Sequence, residues 1–209
     1  MHENYIINIG RQFGSGGKSI GEKIATRLGI KLYDKELIML AARESGFSEE
    51  CFEQCDEQKG VLRALFGYFR APFVGNYSNC DTPLSGETLF RIQSDVIRQV
   101  AERESCIFVG RCADYILREH PRAVNIFLTA NLADRIHRIA SRTGCTEQEA
   151  EAKIESMDRQ RARYYNYYTS RTWGEAATYD LTINTSILGD EATAQLIIDF
   201  VNQKLNRKR

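Results

Sequence analysis

The sequence predicts a three-layer α/β fold, a five-stranded parallel sheet with helices on both faces. Three observations predict it. The chain opens as a short apolar run, a glycine-rich turn and a helix; further short apolar runs follow, each ending in a turn or polar signal; and helical patterns separate them. Strand–helix alternation of this kind implies parallel pairing through right-handed crossovers.

The elements follow in order. Residues 5–9 (Tyr-Ile-Ile-Asn-Ile) are mostly apolar, as a strand buried on both faces should be. Residues 10–19 are too glycine-rich for either regular element. From Ser19 the positions Ile20, Ile24, Ala25 and Leu28 keep helical spacing, and Gly29 ends that helix. Residues 30–33 make a minimal second strand closed by Asp34, and residues 106–109, 123–128 and 179–183 supply three more. Helical patterns cover about 87–104, 131–143, 146–169 and 189–206.

Residues 35–86 interrupt the rhythm with helical patterns over 35–45 and 48–58, then a stretch holding Pro72, Gly75 and Pro83. A connection of about 50 residues exceeds the usual crossover, and reads as a mostly helical insert ending in a mobile loop. The whole chain, 1–209, is expected to form one domain with its core in 1–34 and 87–209.

Composition narrows the function. The 209 residues carry 28 basic and 28 acidic side chains, with 43% hydrophobic and 27% charged residues. That is globular rather than disordered, and zero net charge argues against a nucleic-acid polymer as partner. A small anion remains open. No signal-peptide pattern precedes the first strand, and no apolar run approaches the length of about 20 residues a membrane span needs. Six cysteines without a C-x-x-C fit a reducing cytosol, so a cytoplasmic protein is expected. Cys51 and Cys55 lie one helical turn apart, but no nearby histidine or second cysteine pair completes a metal site.

The chemistry concentrates at the glycine turn. Gly17-Lys18-Ser19 matches the end of the P-loop pattern G-x-x-x-x-G-K-[ST], whose backbone N–H groups and helix dipole bind phosphate. Gly14, Ser15, Gly16, Gly17, Lys18 and Ser19 are the expected cradle, with Lys18 reaching the β- and γ-phosphates and Ser19 on Mg²⁺. Strict spacing puts Gln12 where the first glycine belongs. The competing reading is a glycine turn that only permits close helix packing.

Asp34 closes the second strand, on the sheet edge where α/β folds bind ligands. A carboxylate there would hold Mg²⁺ through water or take a proton from an attacking hydroxyl; equally, it would N-cap a helix starting near Lys35. On the same edge Gly110 allows a sharp turn and Arg111 offers a fork for bidentate phosphate contact, a surface salt bridge being the alternative. Between 155 and 171 four arginines face two acids. Arg159 and Arg163 share a helix face while Arg161 points elsewhere, so the first two are the candidates for neutralising a transferred phosphoryl group. A solvated helix with a Glu155–Arg159 pair is the competing reading.

These segments resemble the cytidylate-kinase-like family of P-loop nucleoside-monophosphate kinases. The carriers are 11–17 (Arg-Gln-Phe-Gly-Ser-Gly-Gly), 108–111 (Phe-Val-Gly-Arg), 124–130, the arginine-bearing 157–168, and 179–186 (Tyr-Asp-Leu-Thr-Ile-Asn-Thr-Ser). The resemblance implies ATP- and Mg²⁺-dependent phosphoryl transfer to a small acceptor, CMP or dCMP first. It implies Arg111 at the acceptor's phosphate, an acceptor-binding role for 35–86, and Arg159 and Arg163 in a lid within about 144–172. Two positions depart from the family. Cys112 stands where an Asp follows the Gly-Arg pair, and 34–40 lacks a phosphate-binding arginine. Asp34 would then bind an acceptor hydroxyl, which keeps a kinase for a non-nucleotide hydroxyl open, as is a nucleotide-binding regulatory protein without turnover.

Overall fold

The computed structural model describes residues 4–34 and 86–206. The patterns expected over 35–58, the loop after them, Cys51, Cys55, Cys80 and the basic tail 207–209 lie outside the described residues. The described chain runs β1 (Ile6–Arg11), α1 (Gly17–Leu28), β2 (Lys31–Tyr33), α2 (Gly86–Arg103), β3 (Cys106–Val109), α3 (Ala113–Ile116), β4 (Ala123–Thr129), α4 (Leu132–Thr143), α5 (Glu147–Thr169), β5 (Leu181–Asn184) and α6 (Thr185–Asn206). The five strands form one parallel sheet in the order β2-β3-β1-β4-β5. The expected α/β class and strand count are those observed.

Strand periodicity explains the layers. In β1 and β3 successive side chains face opposite ways, so Ile6, Cys106 and Phe108 join one core and Ile7, Ile9, Ile107 and Val109 the other. The first core lies under α2 and α3, through Ile92, Val96, Ile97 and Ile116; the second lies under α1 and α6, through Ile20, Ile24, Ala194 and Ile197. Each fully buried Ile is worth roughly 1.5–3 kcal/mol relative to exposure. A third, smaller cluster of Ile139, Ala150 and Ile154 joins α4 to α5.

Some boundaries differ from the sequence pattern for identifiable reasons. β5 starts at Leu181, because Tyr179 turns inward with its ring 4.9 Å from that of Phe127, and Asp180 bonds the backbone of Asn125 in both directions. α6 begins at Thr185 but breaks at Gly189, whose φ of 71° and ψ of 171° no helix contains. The four-residue α3 and a 3₁₀ turn over Ala176–Thr178 are too short to show a period. No described helix is long and apolar enough to cross a membrane.

β1 lies between β3 and β4, and the chain visits β2 and β3 on one side before crossing to β4 on the other. That reversal opens a crevice beyond the C-terminal ends of β1, β3 and β4, where α/β sheets bind ligands.

Candidate active site

The glycine turn occupies that crevice. Gln12 extends the ladder: its N–H donates to the Leu128 carbonyl at 2.9 Å, and its side-chain oxygen accepts from the Ala130 N–H. An alanine or glycine could not make the second bond, which accounts for Gln12 where the motif has glycine. The sharp bends come two residues later, at Gly14 and Gly16, with φ of 84° and 82°. Ser15 is buried, its hydroxyl donating to the Gln12 carbonyl and its own carbonyl accepting from Thr185 Oγ1. Gly16 caps α1 without a side-chain hydrogen bond, and the first turn of α1 holds no acid. The helix therefore meets the crevice with its positive end.

Lys18 is exposed on the first turn of α1 and lies 2.8 Å from Asp34, which is nine-tenths buried at the end of β2. Ser19 follows, half-buried. Beside the turn, Arg138 of α4 pairs with Asp190 at 3.0 Å, so close that a Cβ on Gly16 would lie 2.0 Å from the guanidinium. An open hollow of about 570 Å³ adjoins them, lined by His137, Arg138, Arg142, Ser186 and Gly189 among others.

After β3 the backbone takes an uncommon course. Gly110, Arg111 and Cys112 have φ of 80°, 59° and 56°, three left-handed residues in succession. For the two with side chains that conformation costs roughly 1–2 kcal/mol each, strain of the kind that clusters at functional sites. Glycine is required at 110 on a second ground: the Arg11 guanidinium passes so close that a Cβ there would be 1.9 Å away. The turn lays Arg111 over the Tyr164 ring, 5.6 Å from its centroid. A cavity of about 270 Å³ opens here, lined by Arg11, Arg111, Arg161, Asp114, Tyr164 and Trp173 among others. Burial pushes the Tyr164 hydroxyl up to about 12 despite the neighbouring Arg111 charge. Cys112 is likewise pushed up to about 12 by burial, and so stays a thiol rather than a nucleophile.

The structure distributes the predicted residues unevenly. Gly14 to Ser19, with Lys18 and Asp34, form one group, and Arg111 faces the adjoining cavity. Arg159 and Arg163 are exposed on α5, and Arg159 pairs with Glu155 at 3.4 Å. Arg161 is the arginine that α5 turns inward: it lines the cavity and donates to the Arg11 carbonyl at 3.0 Å. A signal for this was in the sequence. Ile154, Asp158, Arg161 and Tyr165 step by 4, 3 and 4, the stripe a helix buries, and Arg159 and Arg163 lie off it. Arg135 and Arg138 had no sequence signal, because both meet the site from α4, far from the glycine turn in the chain.

Asp114 is also new, a carboxylate two residues beyond Cys112, lining the cavity and accepting from the Tyr165 hydroxyl at 2.7 Å. Burial raises its pKa above the ordinary 3.8, a shift that the Tyr165 bond only partly offsets. A carboxyl with a raised native pKa binds its proton more tightly when folded. The stabilisation it brings is full below the unfolded pKa and is lost as pH rises through the native value. Asp114→Asn is therefore expected to gain stability relative to the parent as pH climbs above the ordinary carboxylate range. Denaturant melts at several pH values measure this, and parallel stability–pH curves would contradict it.

A model of the cytidylate kinase-like family matches residues 6–187. The chain is 27% identical over 116 residues to the cytidylate kinase of Halobacterium salinarum, a match spanning 54% of this chain and 60% of that protein, under two thirds of its length. It is 24% identical over 197 residues to the cytidylate kinase of Pyrococcus horikoshii, covering 93% and 87% of the two chains. Among solved structures it is similar to an uncharacterized protein from Eubacterium ventriosum, with TM-score 0.74, 28% identity and 96% and 99% coverage. It also shares its fold with a shikimate kinase from Bacteroides thetaiotaomicron, with TM-score 0.54, 14% identity and 95% and 98% coverage.

Proposed function

The chain belongs to the cytidylate kinase-like family, and from that premise we propose that it transfers the γ-phosphoryl group of ATP to a small acceptor, CMP or dCMP first. One observation carries the proposal: a glycine turn at a helix N-terminus and a cavity bearing three guanidinium groups share one sheet edge, with Arg11 belonging to both. The backbone N–H groups of residues 14–19 and Lys18 hold the triphosphate. Arg111 and Arg161 face the acceptor, and the hollow beside Arg138 takes the donor base. Arg159 and Arg163 join only if α5 moves as a lid.

The donor set suits Mg²⁺. Among the described residues no group of three or more His, Cys, Asp or Glu could hold a metal ion, and Mg²⁺ is typically held by water and substrate phosphates with one or two protein groups. Ser19, with Asp34 through water, would be those groups. The bound ion would neutralise charge on the β- and γ-phosphates.

In the reaction an acceptor oxygen bonds to the γ-phosphorus as the bond to the bridging oxygen breaks, and ADP leaves; positioning and charge stabilisation carry the rate. An acceptor phosphate needs no proton removed at neutral pH, whereas an alcohol does, and Asp34 would then take it. Incubation with ATP and Mg²⁺ and a panel of nucleoside monophosphates and small alcohols tests the acceptor. Thermal shifts with ATP alone and with each monophosphate report binding. Transfer to CMP or dCMP is expected, with the largest shift for that pair. Transfer only to alcohols would move the assignment to a hydroxyl kinase, and ATP binding without transfer to any acceptor would remove the kinase reading.

A further inference from the structure

Phe13 lies in the donor turn, yet both of its backbone polar groups are held by side chains from elsewhere. Its N–H donates to Asp158 Oδ1 of α5 at 2.7 Å, and its carbonyl accepts from Arg135 Nε of α4 at 2.7 Å. Arg135 and Asp158 also pair directly, with side-chain exposures of 7% and 17%. Arg161 grips the preceding Arg11 carbonyl and lies 5.3 Å from the Phe13 ring centroid, with Arg142 at 5.7 Å. The next residue, Gly14, is in contact too: a Cβ there would sit 3.1 Å from Arg135 Cβ.

We propose that the Asp158–Arg135 pair is a positioning device that sets the course of the donor turn, and through it the placement of the triphosphate. The inference deepens the donor-site reading above and rests on it. The motif's first glycine is absent, and residues 11–13 have no left-handed conformation, so this half of the turn is shaped by external bonds rather than by glycine. A carboxylate so near a phosphate cradle would repel the ligand if unpaired. Arg135 neutralises it and leaves the carboxylate oxygen for the Phe13 N–H. Asp158 acts through the turn rather than on the substrate.

The test uses the full chain and three variants. Asp158→Ala removes the acceptor for the Phe13 N–H, and Asp158→Asn keeps it. Arg135→Met with Asp158→Leu replaces the buried pair by apolar groups of similar size, a change that is often neutral for stability, while leaving Phe13 without either anchor. Calorimetric titration with ATP and Mg²⁺ reads affinity, amide hydrogen exchange at Phe13 without nucleotide reads the anchor, and melting reads the fold. A turn released from its charged anchor, with the bond left unmade, predicts about 10²-fold weaker ATP binding for Asp158→Ala and for the double variant. Faster exchange at Phe13 should accompany it, with substantial recovery of both readouts in Asp158→Asn. The double variant is expected to do this at near-parental melting temperature, which a purely structural pair would not. Parent-like affinity in a folded variant lacking the anchors, or unchanged Phe13 exchange, would overturn the proposal while leaving the donor site intact. A parent that binds no ATP would overturn the donor-site reading, and this one with it.

Discussion

Lys18→Ala is expected to slow phosphoryl transfer by about 10²–10³-fold, equivalent to roughly 3–4 kcal/mol of transition-state stabilisation. Lys18 stands on the first turn of α1, and 63% of its side-chain surface is exposed to the crevice, so a bound phosphate can reach it. Its Nζ lies 2.8 Å from Asp34, a partner it would exchange for the β- and γ-phosphates. An ion pair with one member this exposed is worth about 0–1 kcal/mol to the fold. The variant should therefore lose rate with little change in melting temperature, and steady-state product formation alongside a melt separates the two. Transfer at the parental rate would show that the donor phosphates are held elsewhere.

Phe108→Ala is expected to cost about 3–5 kcal/mol of stability, as other buried Phe truncations do. The Phe108 ring is fully buried, pairs with that of Tyr33 at 5.6 Å, and belongs to the core beneath α2 and α3. At about 2–4 °C per kcal/mol for a domain of this size, melting should fall by roughly 6–20 °C. The cavity would open two residues before the left-handed turn that presents Arg111, so acceptor affinity should weaken before ATP affinity does. Chemical denaturation measures the first effect, and a loss below about 1 kcal/mol would mean that the core collapses around the gap.

Particular residues show how far the site was legible. Lys18 and Ser19 stand in the first turn of α1 as their local spelling predicts, because a glycine turn running into a helix depends only on its own ten residues. Gln12 departs from that spelling because its side chain accepts from the Ala130 N–H, 118 residues away in sequence. On α5, charge drew attention to Arg159 and Arg163, but the buried stripe passes through Asp158 and Arg161. After β3 the position that follows Gly110-Arg111 holds Cys112, and the left-handed turn brings Asp114, two residues on, into the same cavity.

The periodic apolar pattern and the glycines were enough to specify strands, helices, their parallel layering and the glycine turn at the head of α1, because each depends on residues a few positions apart. Which arginines meet at the cavity beside β3, and what braces Arg11 to Gly14, was decided only when β1, β3, α4 and α5 packed together. Those contacts join residues 23 to 150 positions apart, and their geometry follows from helix rotation and strand order rather than from any local motif. The chain's zero net charge gives no sign of a basic crevice, since it averages over all the charges that folding separates.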